Sequence, residues 1–164
     1  MTDTLFNPTE LLAILDELGE NVRKGYVNKL VRNGHPTKEN TLATTVTAEV
    51  EVDGTTYIVS LNLQDYWKYV EEGTRPHWAP IDAILRWVEI KPVIPRPDSN
   101  GRIPTTEQLA FLISRKIAKK GTTGTHDLQE TTDTLLGYYE ERIAEALGRD
   151  TFAYIEKVLQ TPTP

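Results

Sequence analysis

The chain predicts an α+β fold: a small antiparallel sheet built around one β-hairpin and packed with several α-helices. Three observations predict it. Apolar residues recur at helical spacing over most of the length. One stretch, 44–63, instead alternates apolar and polar residues on both sides of an Asp-Gly pair. Prolines and glycines separate these segments as helix and strand breakers do. At 164 residues and 18.5 kDa, one domain covering 1–164 is expected. Its parts are an N-terminal helix 8–33, a hairpin 44–63 and a helical region 64–160 with a Pro-rich loop 92–104. Hydrophobic residues make up 38%, so the core is modest and subunit contacts are expected to supply part of the burial.

The first helix has a start signal in Asn7-Pro8-Thr9-Glu10, with Asn7 as cap, Pro8 in the first turn and Glu10 three residues after the cap. Leu11, Leu15, Leu18, Val22 and Tyr26 form its inward stripe, and Gly34-His35-Pro36 ends it. In the hairpin, Asp53-Gly54 between alternating runs predicts a two-residue turn. That register sets Val50 opposite Tyr57, Ala48 opposite Val59 and Val46 opposite Leu61. Gln64 to Glu72 reads as a short helix closed by Gly73. Pro80 opens another, with Ile81, Ile84, Leu85 and Val88 inward, stopped at Lys91-Pro92. Residues 92–104 hold four prolines and Asp98-Ser99-Asn100, hence a loop. Thr105 or Thr106 caps a helix with Leu109, Leu112, Ile113 and Ile117 inside. Its basic end, Arg115 to Lys120, matches the negative pole of the helix dipole before Gly121. Asp127-Leu128-Gln129-Glu130 reads as a capping box for a long helix through Leu135, Leu136, Tyr139, Ile143 and Leu147, interrupted near Gly148-Arg149-Asp150. Phe152, Ile155, Val158 and Leu159 extend the apolar stripe, and 161–164 is a frayed tail.

Charge and composition exclude several function classes. A net charge of -6 makes the whole chain a poor nonspecific nucleic-acid binder, because phosphate repels an acidic surface. No apolar run reaches membrane-span length, and the N-terminal residues lack the charged-then-apolar pattern of a signal. With 0 cysteines there are no disulfides, thiolate metal sites or cysteine nucleophiles. His35, His77 and His126 lie far apart, each in a turn. Gly121-Thr122-Thr123-Gly124-Thr125 lacks the lysine and preceding strand of a phosphate loop. Glu71 and Glu72 are adjacent and diverge by about 100° on a helix, so they do not form a facing acid–base pair. Glu71 suits an ion pair with Arg75 or with an arginine of a neighbouring chain. No catalytic residue, metal or cofactor is expected.

The most informative segment is Tyr66 to Pro80. Counting the imidazole, it holds five aromatic rings, with an acidic pair and a Gly73-Thr74-Arg75-Pro76 corner. Tyr66 and Trp67 cannot face the same way on one helix, so part of this cluster belongs at a surface that another element or chain covers. Trp67, Tyr69, Glu71, Arg75, Pro76, Trp78 and Trp87 are the candidate subunit-interface residues.

From Tyr66 through Gly121 the chain resembles tailed-bacteriophage tail-completion, or neck, proteins related to the minor tail protein Z group. The pattern is Tyr66…Tyr69-Val70-Glu71…Gly73-Thr74-Arg75-Pro76, then Pro80, Ile84-Leu85…Trp87-Val88 and Lys91-Pro92. It continues as Leu109-Ala110…Ile113…Arg115-Lys116-Ile117-Ala118…Gly121. The resemblance covers about a third of the chain and implies a structural subunit without catalytic residues. Such subunits form a homo-oligomeric ring at the head–tail junction of the virion, between the portal or adaptor and the tail proteins, after assembly in the host cytoplasm. DNA would pass through without specific binding, and no membrane is involved. The chain departs from shorter members by its long segment after Gly121. Two other readings compete: a small nucleic-acid-binding regulator using the basic helix end 115–120, and a small hydrolase with Glu71 and His77 at its centre.

Overall fold

The computed structural model describes residues 6–91, 93–97 and 99–160. The helix stop at Pro92, the loop residue Asp98 and the 161–164 tail lie outside these. The architecture is α+β. In chain order it comprises α1 (Thr9–Arg32), α2 (Leu42–Thr45), β1 (Thr47–Asp53), β2 (Thr56–Asn62), α3 (Trp67–Glu71) and β3 (Gly73–Thr74). There follow α4 (Ile81–Ile90), α5 (Thr106–Lys120), β4 (Thr122–Thr123) and α6 (Asp127–Gln160). Contacts divide the chain into two compact units. The first is Met1–Tyr26, Val46–Asn62 and Leu128–Pro164; the second is Val27–Thr45 and Leu63–Asp127.

In the first unit, α1 buries Leu11, Leu15, Leu18 and Val22 against α6 and the inner face of the hairpin. On α6 the inward stripe runs through Leu128, Leu135, Tyr139, Ile143 and Ala146, while Leu136 and Leu147 are exposed. Val50, Tyr57, Val59 and Leu61 complete the core from the sheet. A Cβ on Gly19 would press on Val59 and Ala48, so glycine lets α1 lie close on the strands.

Two expectations fail here. The hairpin register is displaced by one pair: Val50 stands opposite Val59, Ala48 opposite Leu61 and Val52 opposite Tyr57. The turn residues are Gly54 and Thr55 rather than Asp53 and Gly54, since Asp53 still pairs with Thr56. Gly54 takes φ 61, and its left-handed conformation at the first turn position is the type II′ pattern. A shift of two residues keeps every side chain on its expected face. The strands are also shorter than 44–63, because Leu42–Thr45 forms a helical turn.

The second failure concerns α1 and α6. Gly148-Arg149-Asp150 does not interrupt α6, which is helical to Gln160. Instead the Asp150 carboxylate accepts hydrogen bonds from the Glu10 and Leu11 amides at 3.3 and 2.8 Å. Those amides are unpaired donors of the first turn of α1. A residue 139 positions away thus does what was expected of Asn7. Arg149 reinforces the junction by bonding Glu10 at 2.6 Å.

In the second unit, α1 ends in a Schellman motif. Gly34 takes φ 75, its amide donates to the Val31 carbonyl, and the His35 amide donates to the Leu30 carbonyl. On α5 the buried residues are Ala110 and Ser114, not Leu112, which is exposed. Leu112 lies about 200° around the helix from both. Small residues let α5 approach its neighbour closely, and Ser114 Oγ donates to the Ala79 carbonyl at 2.7 Å. The Thr105 capping box closes with Gln108. On α4, Val88 is buried, Ile84 and Leu85 are half-buried, and Ile81 is exposed, again against expectation.

His35, half-buried beside Lys91 and Asp127, gives the second unit a pH dependence. Desolvation, aided by Lys91, holds its pKa below the usual 6.5, with Asp127 opposing. A base with a depressed folded pKa is protonated first in the unfolded chain. Stability is therefore full above pH 6.5 and falls as pH drops from there through the folded pKa. We expect a lower urea midpoint at pH 5 than at pH 7.5, and a flatter profile in His35→Asn. An unchanged profile in that variant would remove His35 as the cause.

Candidate subunit interface

The aromatic segment sits on a backbone clasp made entirely within the second unit. α3 is only five residues long and would not persist alone. It is fixed at its start by Tyr66, whose hydroxyl accepts the Leu42 amide at 2.7 Å. At its end Gly73, with φ 76, turns the chain into β3. β3 then pairs antiparallel with β4: Gly73 opposite Thr123, and Thr74 opposite Thr122. The two threonine hydroxyls meet at 3.0 Å. Two further bonds close the clasp, from the Thr125 amide to the Val70 carbonyl at 3.0 Å and from the His126 amide to the Glu71 carbonyl at 3.1 Å. Gly73, Gly121 and Gly124 occupy its crossing points. A Cβ on any of them would collide with backbone of the facing strand.

In the sequence these two segments look unrelated, one a Gly-Thr-Arg-Pro corner and the other a weak phosphate-loop lookalike. Both are Gly-Thr pairs directly after a helix, 73–74 and 121–122. That shared context is the only signal of their pairing, since two-residue strands have no periodicity to detect.

The candidate residues do not all share one environment. Tyr69 is 59% exposed and Trp78 64%, and Arg75 and Pro76 are also exposed. Trp67 is half-buried. Trp87, on α4, is 39% exposed, with the Lys91 ammonium 5.5 Å from its ring centre. Glu71 differs from the rest: it is buried in the chain's own fold at 4% exposure, so no neighbouring chain is needed to cover it. Arg75 makes no ion pair among the described residues, and the expected Glu71–Arg75 pair does not form. His77 is exposed and its Nδ1 contacts the Arg75 carbonyl at 2.9 Å, within its own loop. The structure does not bring Glu71 and His77 into a hydrogen bond.

Beside the clasp, α5 presents cations along an open face. Leu112, Arg115, Lys116, Lys119 and Lys120 line one shallow depression. A larger open groove of about 690 Å³ lies between α5 and the Pro-rich loop, lined in part by Arg96, Arg102, Ile103, Phe111 and Leu112. Leu112, expected inside, lies in this lining instead, and Ile103 and Phe111 belong to no motif in the sequence. Among the described residues no group of His, Asp or Glu is arranged to hold a metal ion, and no helix is long and apolar enough to cross a membrane. No protein family, curated protein or solved structure matches the chain.

Proposed function

We propose that the chain is a structural subunit of a tailed-bacteriophage virion, part of the ring that joins the portal or adaptor to the tail at the head–tail junction. One observation carries this reading. The segment that resembles the neck proteins is held from behind by the clasp, with Tyr69 and Trp78 turned outward. A rigid backbone presenting large rings is how an assembly hot spot is built, since little entropy remains to be lost on contact. Uncovered apolar surface supports it further. Among the described residues, 21 large hydrophobics are exposed, against 13 buried hydrophobics of any size. Scattered apolar residues are normal on a surface, but so many large ones exposed beside so few fully buried fits a subunit completed by its neighbours. In such a ring a net charge of -6 per chain would let DNA pass without adhering.

A second reading has its own observation. The cations of α5 lie together on an exposed face, as a nucleic-acid contact requires. It predicts salt-sensitive binding to duplex DNA, which the connector reading does not.

The test is complementation of the phage with Trp78→Ala and Tyr69→Ala, followed by electron microscopy of the particles. Both side chains are exposed, so the subunit should fold normally. Loss of each is expected to cost roughly 2 kcal/mol per contact, about 30-fold in affinity, multiplied around a ring. The expected particles are heads that fail to join tails. Normal infectivity in both variants would overturn the reading.

A further inference from the structure

The two compact units carry opposite charge. The first holds 5 Lys and Arg against 15 Asp and Glu, a net of -10; the second holds 13 against 9, a net of +4. Each also carries an apolar surface that the fold leaves uncovered. In the first unit these are the last turns of α6, where every residue from Thr151 to Gln160 is exposed. Phe152, Ile155 and Leu159 follow at i, i+3 and i+7 and so share one face, with Glu156 on the same side. In the second unit the counterpart is the groove beside α5. Its apolar lining is Ile103, Phe111 and Leu112; Arg96 and Arg102 outnumber the one acid there, Glu107, and Arg115 and Lys116 add cations further along α5.

We propose that the terminal turns of α6 in one copy seat in the α5 groove of the next copy. The mode is helix in groove, with anchors at i, i+3 and i+7. Phe152, Ile155 and Leu159 cover the apolar floor, and the Glu156 carboxylate faces the cationic rim. The charge split selects the occupant: an acidic unit prefers the basic unit of its neighbour over another acidic unit. The apolar floor separates this groove from a phosphate-binding face, which needs cations but no Ile103, Phe111 or Leu112. Because the two surfaces differ, the contact is head-to-tail and repeats from copy to copy, the condition for a ring. The proposal rests on the connector reading and supplies the joint between neighbouring subunits.

The test uses the purified full-length chain and two double variants. Ile155→Asp with Leu159→Asp spoils the helix end and leaves the groove. Arg96→Glu with Lys116→Glu reverses the cationic rim of the groove and leaves the helix end. All four side chains are exposed, so circular dichroism should match the wild type. In sedimentation velocity the wild type should form oligomers that loosen as salt rises, since the charge term is screened. Each variant alone should associate about 100-fold more weakly and run as a monomer. Mixed, the two should give a 1:1 complex and nothing larger, because only one complementary pair of surfaces survives. Three results would overturn the proposal: a monomeric wild type, variants that assemble as the wild type does, or a mixture that stays monomeric. Loss of duplex-DNA binding in the groove variant with self-association intact would also overturn it and assign the groove to nucleic acid. None of these outcomes bears on the phage complementation test, so the joint and the connector reading fail separately.

Discussion

Gly121→Ala is expected to destabilise the second unit by roughly 3 kcal/mol or more, the largest effect of any single methyl added to this chain. Two costs combine. Gly121 has φ 68 and ψ -160, a backbone region that essentially only glycine occupies and that costs any other residue about 1–3 kcal/mol. Its Cβ would also overlap the Thr74 carbonyl oxygen and the Arg75 carbonyl carbon. Both are backbone atoms, so no side chain can rotate away and the β3–β4 ladder must open. Gly73→Ala and Gly124→Ala should behave alike, since each meets facing backbone across the same crossing. The control is the same substitution at Gly137 or Gly148 in α6, where nothing lies within 4 Å and φ is helical. There alanine should stabilise by about 0.5–1 kcal/mol, because glycine loses more backbone freedom on folding. Urea unfolding of the variants tests the contrast. A Gly121→Ala protein as stable as the wild type would mean the clasp is not a fixed feature of the fold. If the clasp opens, Tyr69 and Trp78 lose their rigid base, so the connector reading predicts failure of head–tail joining in this variant as well.

Much of the fold was legible because long elements write a period into the sequence. The stripe Leu11, Leu15, Leu18, Val22 gave α1, and alternation gave the hairpin faces even though its register was displaced by one pair. The displacement arose because Asp-Gly fits a two-residue turn in either of two frames, and only backbone geometry chooses. Interactions between distant positions left no such mark. Asp150 capping α1 with its carboxylate, and Gly73-Thr74 pairing with Thr122-Thr123, join residues 139 and 48 positions apart, each meeting backbone groups that any sequence carries. Burial was misjudged where neighbours decide it. Leu112 and Ile81 fit an inward pattern and are exposed; on α5 the close packing selects the small Ala110 and Ser114 in place of Leu112. The candidate interface was legible in part: the aromatic content of 66–80 marked the segment, but not that Glu71 alone turns inward.

Tyr139→Ala is expected to cost roughly 3–5 kcal/mol, and Tyr139→Phe only about 1 kcal/mol. Tyr139 is 1% exposed and packs against Leu18 and Val22, with Ile14, Leu61, Leu128, Leu135 and Ile143 around them. Removing the ring leaves a cavity among rigid elements, α1 on one side and the remainder of α6 on the other. The hydroxyl is bound twice, donating to Glu17 Oε1 and accepting from Asn21 Nδ2, each at 2.6 Å. It nevertheless points to the edge of the core, where Glu17 and Arg142 side chains are 48% and 37% exposed. Water can replace the lost hydroxyl there, so its deletion costs little beside the ring. Arg142 holds Glu17 by two bonds, at 3.0 and 2.7 Å, and with the Tyr139 hydroxyl lowers the Glu17 pKa to about 2. A carboxylate with a depressed folded pKa favours the fold above its unfolded value of 4.5 and loses that contribution as pH falls toward 2. Glu17→Gln should therefore flatten the acid limb of the stability profile and lower neutral-pH stability by the same amount, a small one because an exposed pair is weak in water. Equal losses in Tyr139→Phe and Tyr139→Ala would reverse this ranking. The polar network, rather than ring burial, would then be what joins α6 to α1.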